Sequence, residues 1–251
     1  MNFFFQLLVS GIMLGGVYSL VALGFVIIYK STGVINFAQG QLLAIGALIV
    51  WSFMVPLGMP FWVAGLLSVL CGASLGIVIE RLTIRPMTGQ PLMAVIVMTI
   101  ALATFLDSAI PPIFGSEEEA FPTLLPTGGL YVWAARSCGV RVGTIFSTAW
   151  AIAAVSAMAG GFLLGNIESV SPSMSTIALR VFPVIILGGL DSITGCIIAG
   201  PIVGALEMMA VGYADPITEG GAGEVVPHLI ILITLIFRPH GIFGQEHIER
   251  I

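Results

Sequence analysis

The chain has 251 residues, of which 58% are hydrophobic and only 8% charged, and its mean hydropathy is +1.11. A soluble domain carries about 25% charged residues, so these figures exclude a soluble globular enzyme and a disordered tail. Eight Lys plus Arg stand against thirteen Asp plus Glu, a net charge of −5, which leaves no basic surface to neutralise nucleic-acid phosphates.

A helix needs about 20 apolar residues to cross the hydrocarbon core. Residues 6–29 supply a first span, free of charge and ended by Lys30. The residues ahead of it, Met1-Asn2-Phe3-Phe4-Phe5, lack a basic n-region, so the stretch reads as a span rather than a cleavable signal. Residues 34–54 follow after Ser31-Thr32-Gly33, and the Pro and Gly of 55–60 mark a tight turn. Residues 61–84 form the third span, with Glu80, Arg81 and Arg85 at its end. Residues 91–113 form the fourth, with Asp107 late in it, near a surface, and Pro111-Pro112 closing it. An acidic loop over 115–133 carries Glu117, Glu118 and Glu119. Residues 142–165 make the next span. Residues 176–190 are too short to cross untilted and are expected to be a short or re-entrant helix. Spans over 193–213 and 225–238 complete the chain. The expected fold is all-α, a polytopic transmembrane bundle of about seven to eight membrane segments, short or re-entrant ones included. It forms one transmembrane domain over 1–251.

The positive-inside rule orients this bundle. With Lys30 inside, the N-terminus is outside. Arg81 and Arg85 return inside, Glu117–Glu119 face outside, and Arg136, Arg141, Arg238 and Arg250 face inside; Arg180 is the exception. One step of the walk fails. Between 117–119 and 136–141 the chain has to cross the membrane, yet Thr127-Gly128-Gly129-Leu130-Tyr131-Val132-Trp133 is too short and too Gly-rich to do so. Either the orientation flips midway or a span is missing.

Four glycine pairs at small-xxx-small spacing, Gly11/Gly15, Gly72/Gly76, Gly161/Gly165 and Gly200/Gly204, put two glycines on one helix face and let another backbone approach. Residues 33–41 are polar where a helix begins, and Asn36, Gln39 and Gln41 would be costly against lipid. They read equally as a pathway or gating element and as a helix start capped by Asn36. Leu187-Gly188-Gly189-Leu190-Asp191-Ser192-Ile193-Thr194-Gly195 breaks a second apolar run, with Asp191 or Ser192 placed to cap the next helix. One interrupted element in each half of the chain points to a paired translocation site. The path candidates are therefore Asn36, Gln39, Gly40, Gln41, Gly188, Gly189, Ser192, Gly195 and Glu207. Glu207, mid-span, reads as a lining or ion-coupling carboxylate or, more often for such a residue, as a buried acid bonded to a neighbouring helix. His228 reads as a packing residue. Cys71, Cys138 and Cys196 form no C-x-x-C pair and have no nearby His, so neither a metal site nor a disulfide is expected. No nucleophile–base pair or phosphate loop is present, and no catalytic residue is expected.

These elements together resemble the smaller integral-membrane permease subunit of bacterial ABC importers for branched-chain amino acids. The matching stretches are Gly33-Val34-Ile35-Asn36-Phe37-Ala38 with Gly40; Glu80-Arg81-Leu82 with Arg85-Pro86; Phe121-Pro122 with Leu125-Pro126; Val170-Ser171-Pro172-Ser173-Met174; Leu187-Gly188-Gly189-Leu190 with Ser192 and Gly195; and Phe237-Arg238-Pro239 with Gly241-Ile242-Phe243-Gly244. The resemblance implies a multi-pass protein of the bacterial inner membrane that moves its solute by alternating access. It implies a second permease subunit, two cytoplasmic ATP-binding subunits and a periplasmic solute-binding protein as partners. ATP would be bound by the partner subunits, so this chain itself needs no cofactor. A cytoplasmic coupling loop would dock into the ATPase, and Ala134, Ala135 and Gly139, with Arg136 and Arg141, look like its end, a remnant over 134–141. Trp133 stands where an acidic residue usually precedes the Ala-Ala pair, Gln39 and Gln41 where His and an acid are common, and Asp191 and Thr194 where Gly and Pro are usual. The family pattern places about 40 further residues, enough for one span, between Gly128-Gly129 and Ala134. Relatives of this type also carry urea or short amides. A transport-inactive remnant lacking one span and an autonomous secondary transporter are the rival readings. The lack of paired intramembrane charges counts against the last.

Overall fold

The computed structural model describes residues 3–117, 142–165, 170–218 and 220–244. Every element in them is helical. Helix α1 is Phe3–Thr32, α2 Gln39–Met54 and α3 Phe61–Ile79, which runs on through a π-helical turn, Glu80–Ile84, and a 3-10 turn, Arg85–Met87. Then come α4 (Leu92–Phe114), α5 (Val142–Gly165), a 3-10 turn (Pro172–Thr176) leading into α6 (Ile177–Gly188), α7 (Ile193–Tyr213), the single turn α8 (Asp215–Thr218) and α9 (Ala222–Phe237). The all-α expectation holds. Five helices, α1, the extended α3, α4, α5 and α7, are long and apolar enough to cross a membrane, while α2, the 172–188 unit and α9 are shorter apolar helices. Among the described residues five helices thus qualify as crossings by length and composition alone, and the seven to eight segments expected, short or re-entrant ones included, are not confirmed.

The helices are mostly apolar, so what distinguishes their sides is chiefly what each side touches. Phe25, Val26, Leu42, Leu43, Trp150, Ala157 and Val203 lie in one core built on α1, α2, α5 and α7. Helices α3, α4 and α9 instead present Trp62, Leu66, Phe105, Ile113 and Ile236 outward, as a lipid-facing layer does.

Glycine sets the closest approaches. A Cβ on Gly11 would stand 2.5 Å from the Ala205 Cα, and one on Gly15 would stand 2.6 Å from the Gly200 carbonyl carbon. A Cβ on Gly204 would stand 2.6 Å from the Gly15 Cα. Two of the expected pairs thus face each other across the α1–α7 crossing. Gly76 leaves 2.6 Å to the Trp150 carbonyl oxygen, and Gly161 packs on the Leu43 carbonyl, so α5 is received in the same way by α3 and α2.

Helices α3 and α5 run antiparallel, because Ser147 meets Glu80 at one end and Phe162 meets Phe61, 5.2 Å between centroids, at the other. Helix α4 starts at the Glu80 end, where Val95 and Met87 share a pocket with Thr32. Its 23 residues span about 35 Å and carry Phe114 away from that end. The chain leaves α4 at one face and enters α5 at the other. Among the described residues Lys30, Arg81, Arg85 and Arg238 collect at the Glu80 end, Arg238 by way of Pro239 and His240, which share a cavity with Tyr29. Arg180 remains the exception.

Candidate translocation site

The first break is buried and polar. Asn36 and Gln39 are both 0% exposed. The Asn36 side-chain oxygen accepts from the Ala38 N–H at 3.0 Å, and its Nδ2 donates to Gln39 Oε1 at 3.4 Å. Asn36 therefore holds the turn ahead of α2, two residues on, rather than capping the helix itself. Gln39 Nε2 donates across the bundle to the Ala153 carbonyl of α5 at 3.1 Å. That carbonyl also accepts from Ser156 Oγ at 2.9 Å. The amide fits because residue 24 is glycine: a Cβ there would overlap Gln39 Nε2 and stand 2.8 Å from Ser156 Oγ. Gly40 packs on the Ser175 carbonyl and leaves 2.8 Å to the Ala178 Cβ. Gln41 is partly exposed, and its buried Oε1 has no hydrogen-bond partner among the described residues. Asn36 and Gln39 are thus tied into the packing, and neither opens onto a path in this state.

The second break is made of backbone. Gly188 and Gly195 oppose each other, and a Cβ on Gly188 would stand 2.6 Å from the Gly195 carbonyl carbon. Gly189 has φ +101°, a conformation open to glycine and few others. A Cβ there would stand 2.6 Å from the Gly244 nitrogen. Residues 241–244 fold over the break, with Ile242 N–H donating to the Leu187 carbonyl at 2.8 Å and Phe243 N–H to the Gly188 carbonyl at 3.3 Å. The Gly-Gly stretch and the C-terminal Gly-Ile-Phe-Gly stretch, far apart in sequence, are one unit. Ser192 caps α7 by accepting from Gly195 N–H at 3.0 Å; of the two candidate caps it is Ser192, not Asp191.

The breaks approach each other at a cavity of about 280 Å³ lined by Tyr29, Ile35, Phe182, Leu190, Asp191 and His240. Ile35 comes from the first break, Leu190 and Asp191 from the second. The remaining candidate, Glu207, is 5% exposed and accepts from Tyr18 OH at 3.2 Å across the α1–α7 crossing. That contact fits the buried, interhelical reading of this acid. The coupling candidates Ala134, Ala135, Arg136, Gly139 and Arg141 lie outside the described residues, as does most of the acidic loop.

Sequence reasoning did not single out the Glu80 cluster. Glu80 has a fully buried side chain inside the π-helical turn. Arg85 grips it in a fork, 3.0 Å from Nε and 3.1 Å from Nη2, and Ser147 Oγ donates to it at 2.9 Å. The signal was an acid and an arginine five residues apart: a regular helix does not bring them together, and the wider π turn does. Asp215 was also missed. Its carboxylate accepts from the Ala222 N–H at 2.6 Å and the Gly223 N–H at 3.2 Å, satisfying the start of α9 from seven residues upstream.

An all-helical bundle of apolar helices, closed by glycine crossings and interrupted by two polar breaks, defines a polytopic membrane protein. Residues 7–124 match the family model of the branched-chain amino acid transport system permease component. The high-affinity branched-chain amino acid transport system permease protein BraD of Pseudomonas aeruginosa is 26% identical over an alignment of 305 residues, 99% of this chain and 98% of BraD. The permease protein LivH of Escherichia coli K12 is 26% identical with the same coverage. The probable permease LivH of Methanocaldococcus jannaschii is 24% identical over 96% of this chain and 93% of its own. No solved structure matches. The chain is thus similar over nearly its whole length to permeases of branched-chain amino acid transport systems. An alignment of 305 positions against 251 residues leaves at least 54 opposite gaps in this chain (305 less 251).

Proposed function

We propose that this chain is the membrane-spanning permease subunit of an ABC importer, a non-enzymatic component that passes branched-chain amino acids across the cytoplasmic membrane. The observation that carries this reading is similarity to high-affinity permeases over nearly the whole of both chains. Alternating access is driven by two ATP-binding subunits on the cytoplasmic side. A second permease completes the path, and a binding protein delivers the solute. The end holding Lys30, Arg81, Arg85 and Arg238 is the cytoplasmic one. On this reading the three short apolar helices also enter the bilayer beside the five spans. The cavity between the breaks opens at the cytoplasmic end, and its largely apolar lining suits an apolar side chain.

The test is uptake of radiolabelled leucine, isoleucine and valine in transport-null cells expressing the chain with its partner subunits, with urea and a short amide as rival solutes. Saturable, ATP-dependent leucine uptake is expected. Uptake of urea or the amide alone would reassign the substrate. The inactive-remnant reading is favoured by one observation: α4 ends and α5 begins at opposite faces, while at least 54 positions of the alignment with BraD stand opposite gaps in this chain. Labelling of Cys138 by a membrane-impermeant thiol reagent, after replacing Cys71 and Cys196, decides it. Protection until permeabilisation supports the coupled permease. Labelling in intact cells puts the 134–141 segment out of reach of any ATPase.

A further inference from the structure

Charged and polar side chains are open on one side of the bundle at membrane depth. Asp107 and Ser108 are exposed on α4, Thr176 at the head of α6 and Glu224 on α9. Two contacts tie these elements together. Ser175 Oγ donates to Asp107 at 3.3 Å, and five residues on Arg180 Nη2 pairs with Glu224 at 3.1 Å, with 38% and 73% of the two side chains exposed. Their depth follows from the packing. Ser175 and Ala178 lie on Gly40, next to Gln39, which lies on Gly24. Gly24 is eight residues, about 12 Å, from the cytoplasmic end of α1. An exposed ion pair at that depth does not face hydrocarbon. It faces water or another protein.

Resting on the permease reading, we propose that Asp107, Ser175, Arg180 and Glu224 form the wall of the translocation path that binds the charged ends of an α-amino acid. The ligand class follows from charge complementarity. A zwitterion needs a cation for its carboxylate and an anion for its ammonium. This face offers the Arg180 guanidinium paired with Glu224, and the Asp107 carboxylate on the neighbouring helix beside Ser175, and it also carries apolar helix surface such as Leu179 and Val225, both exposed. The guanidinium fork matches a carboxylate bidentately, with Glu224 or Asp107 taking the ammonium. Binding exchanges the Arg180–Glu224 pair for two pairs with the solute. Helices α6 and α9 also supply Phe182, Ile186 and Leu235 to the cavity at the cytoplasmic end, so the same two helices carry the charged wall and the cavity wall. The second permease supplies the opposite wall.

The test uses the full complex in a background lacking Cys71, Cys138 and Cys196. Thr176→Cys is expected to react with a charged thiol reagent and to be protected by leucine, but not by leucinamide or 4-methylpentanoate, each of which lacks one charge. Arg180→Gln and Glu224→Gln are expected to raise the leucine KM by about tenfold while co-purification with the partners is kept. The exchange Arg180→Glu with Glu224→Arg restores the ion pair but reverses its polarity, and is expected not to restore uptake. Normal leucine uptake with an unreactive Thr176→Cys, or full rescue by the exchange, overturns the proposal and leaves the permease reading standing. Leucine-protected labelling without uptake does the converse, upholding the site while the transport reading fails.

Discussion

Between α1 and α2 the chain turns on side-chain amides; between α6 and α7 it turns on bare backbone. Asn36 and Gln39 sit fully buried and spend their polar groups on Ala38, on each other and on Ala153. Gly188, Gly189 and Gly195 have no side chains to spend, and the 241–244 segment reaches the Leu187 and Gly188 carbonyls with its own N–H groups. Unpaired backbone at membrane depth is expensive, and each break answers that cost in the way its neighbours permit. The first is enclosed by α5, whose Ala153 carbonyl is a ready acceptor. The second is flanked by a chain end able to fold over it. The amide break tolerates no loss of polarity, while the glycine break tolerates no gain of volume.

The largest effect is expected at Gly189. Valine there meets a disfavoured φ and the Gly244 backbone at 2.6 Å, with no flexible side chain to yield. Strain and overpacking together come to roughly 3 to 5 kcal/mol. Gly189→Val should lower the melting temperature of the detergent-purified chain far more than Gly33→Val, which also has positive φ but open space around it. Equal losses would mean that the approach of residues 241–244 contributes little and that the backbone conformation is the whole effect.

Gln39→Leu comes next. It keeps the volume but removes the amide donor to the Ala153 carbonyl and the partner of Asn36 Nδ2. About 2 kcal/mol is expected. Gln39→Glu should be worse than leucine at neutral pH, because an acid carries no N–H for the carbonyl and buries a charge. A glutamate variant as stable as wild type in a melting scan would place water at this break and reopen it as a lining element.

The outline of these breaks was legible, and their chemistry only partly. Polar residues beginning a helix and a Gly-Gly interruption are visible as departures from an apolar run. Gly11/Gly15 and Gly200/Gly204 were legible as pairs, because spacing on one face is a local property. That those two pairs meet each other was not, since the partner of a helix face is set by tertiary packing. The same limit hid Gly24, whose role exists only because Gln39 arrives from another helix. It hid the grip of Arg85 on Glu80, because their five-residue spacing brings them together only in a π turn. It also left Asn36 and Gln39 divided between lining and packing until Ala153 was seen opposite them.

The smallest effect, at Ser192, separates a cap from a path residue. Ser192 accepts from Gly195 N–H, and losing such a cap costs about 1 kcal/mol. Ser192→Ala should lower stability by that amount, and Ser192→Asp should recover it, since a carboxylate both accepts the bond and favours the positive end of α7. Leucine uptake should follow stability in both variants if the second break is only a hinge of packed backbone. Asp191 beside it lines the cavity, so a second carboxylate at 192 would double the negative charge at its rim. Uptake altered by Ser192→Asp with stability intact would show that the glycine break borders the moving solute, whereas the amide break, sealed by α5, does not.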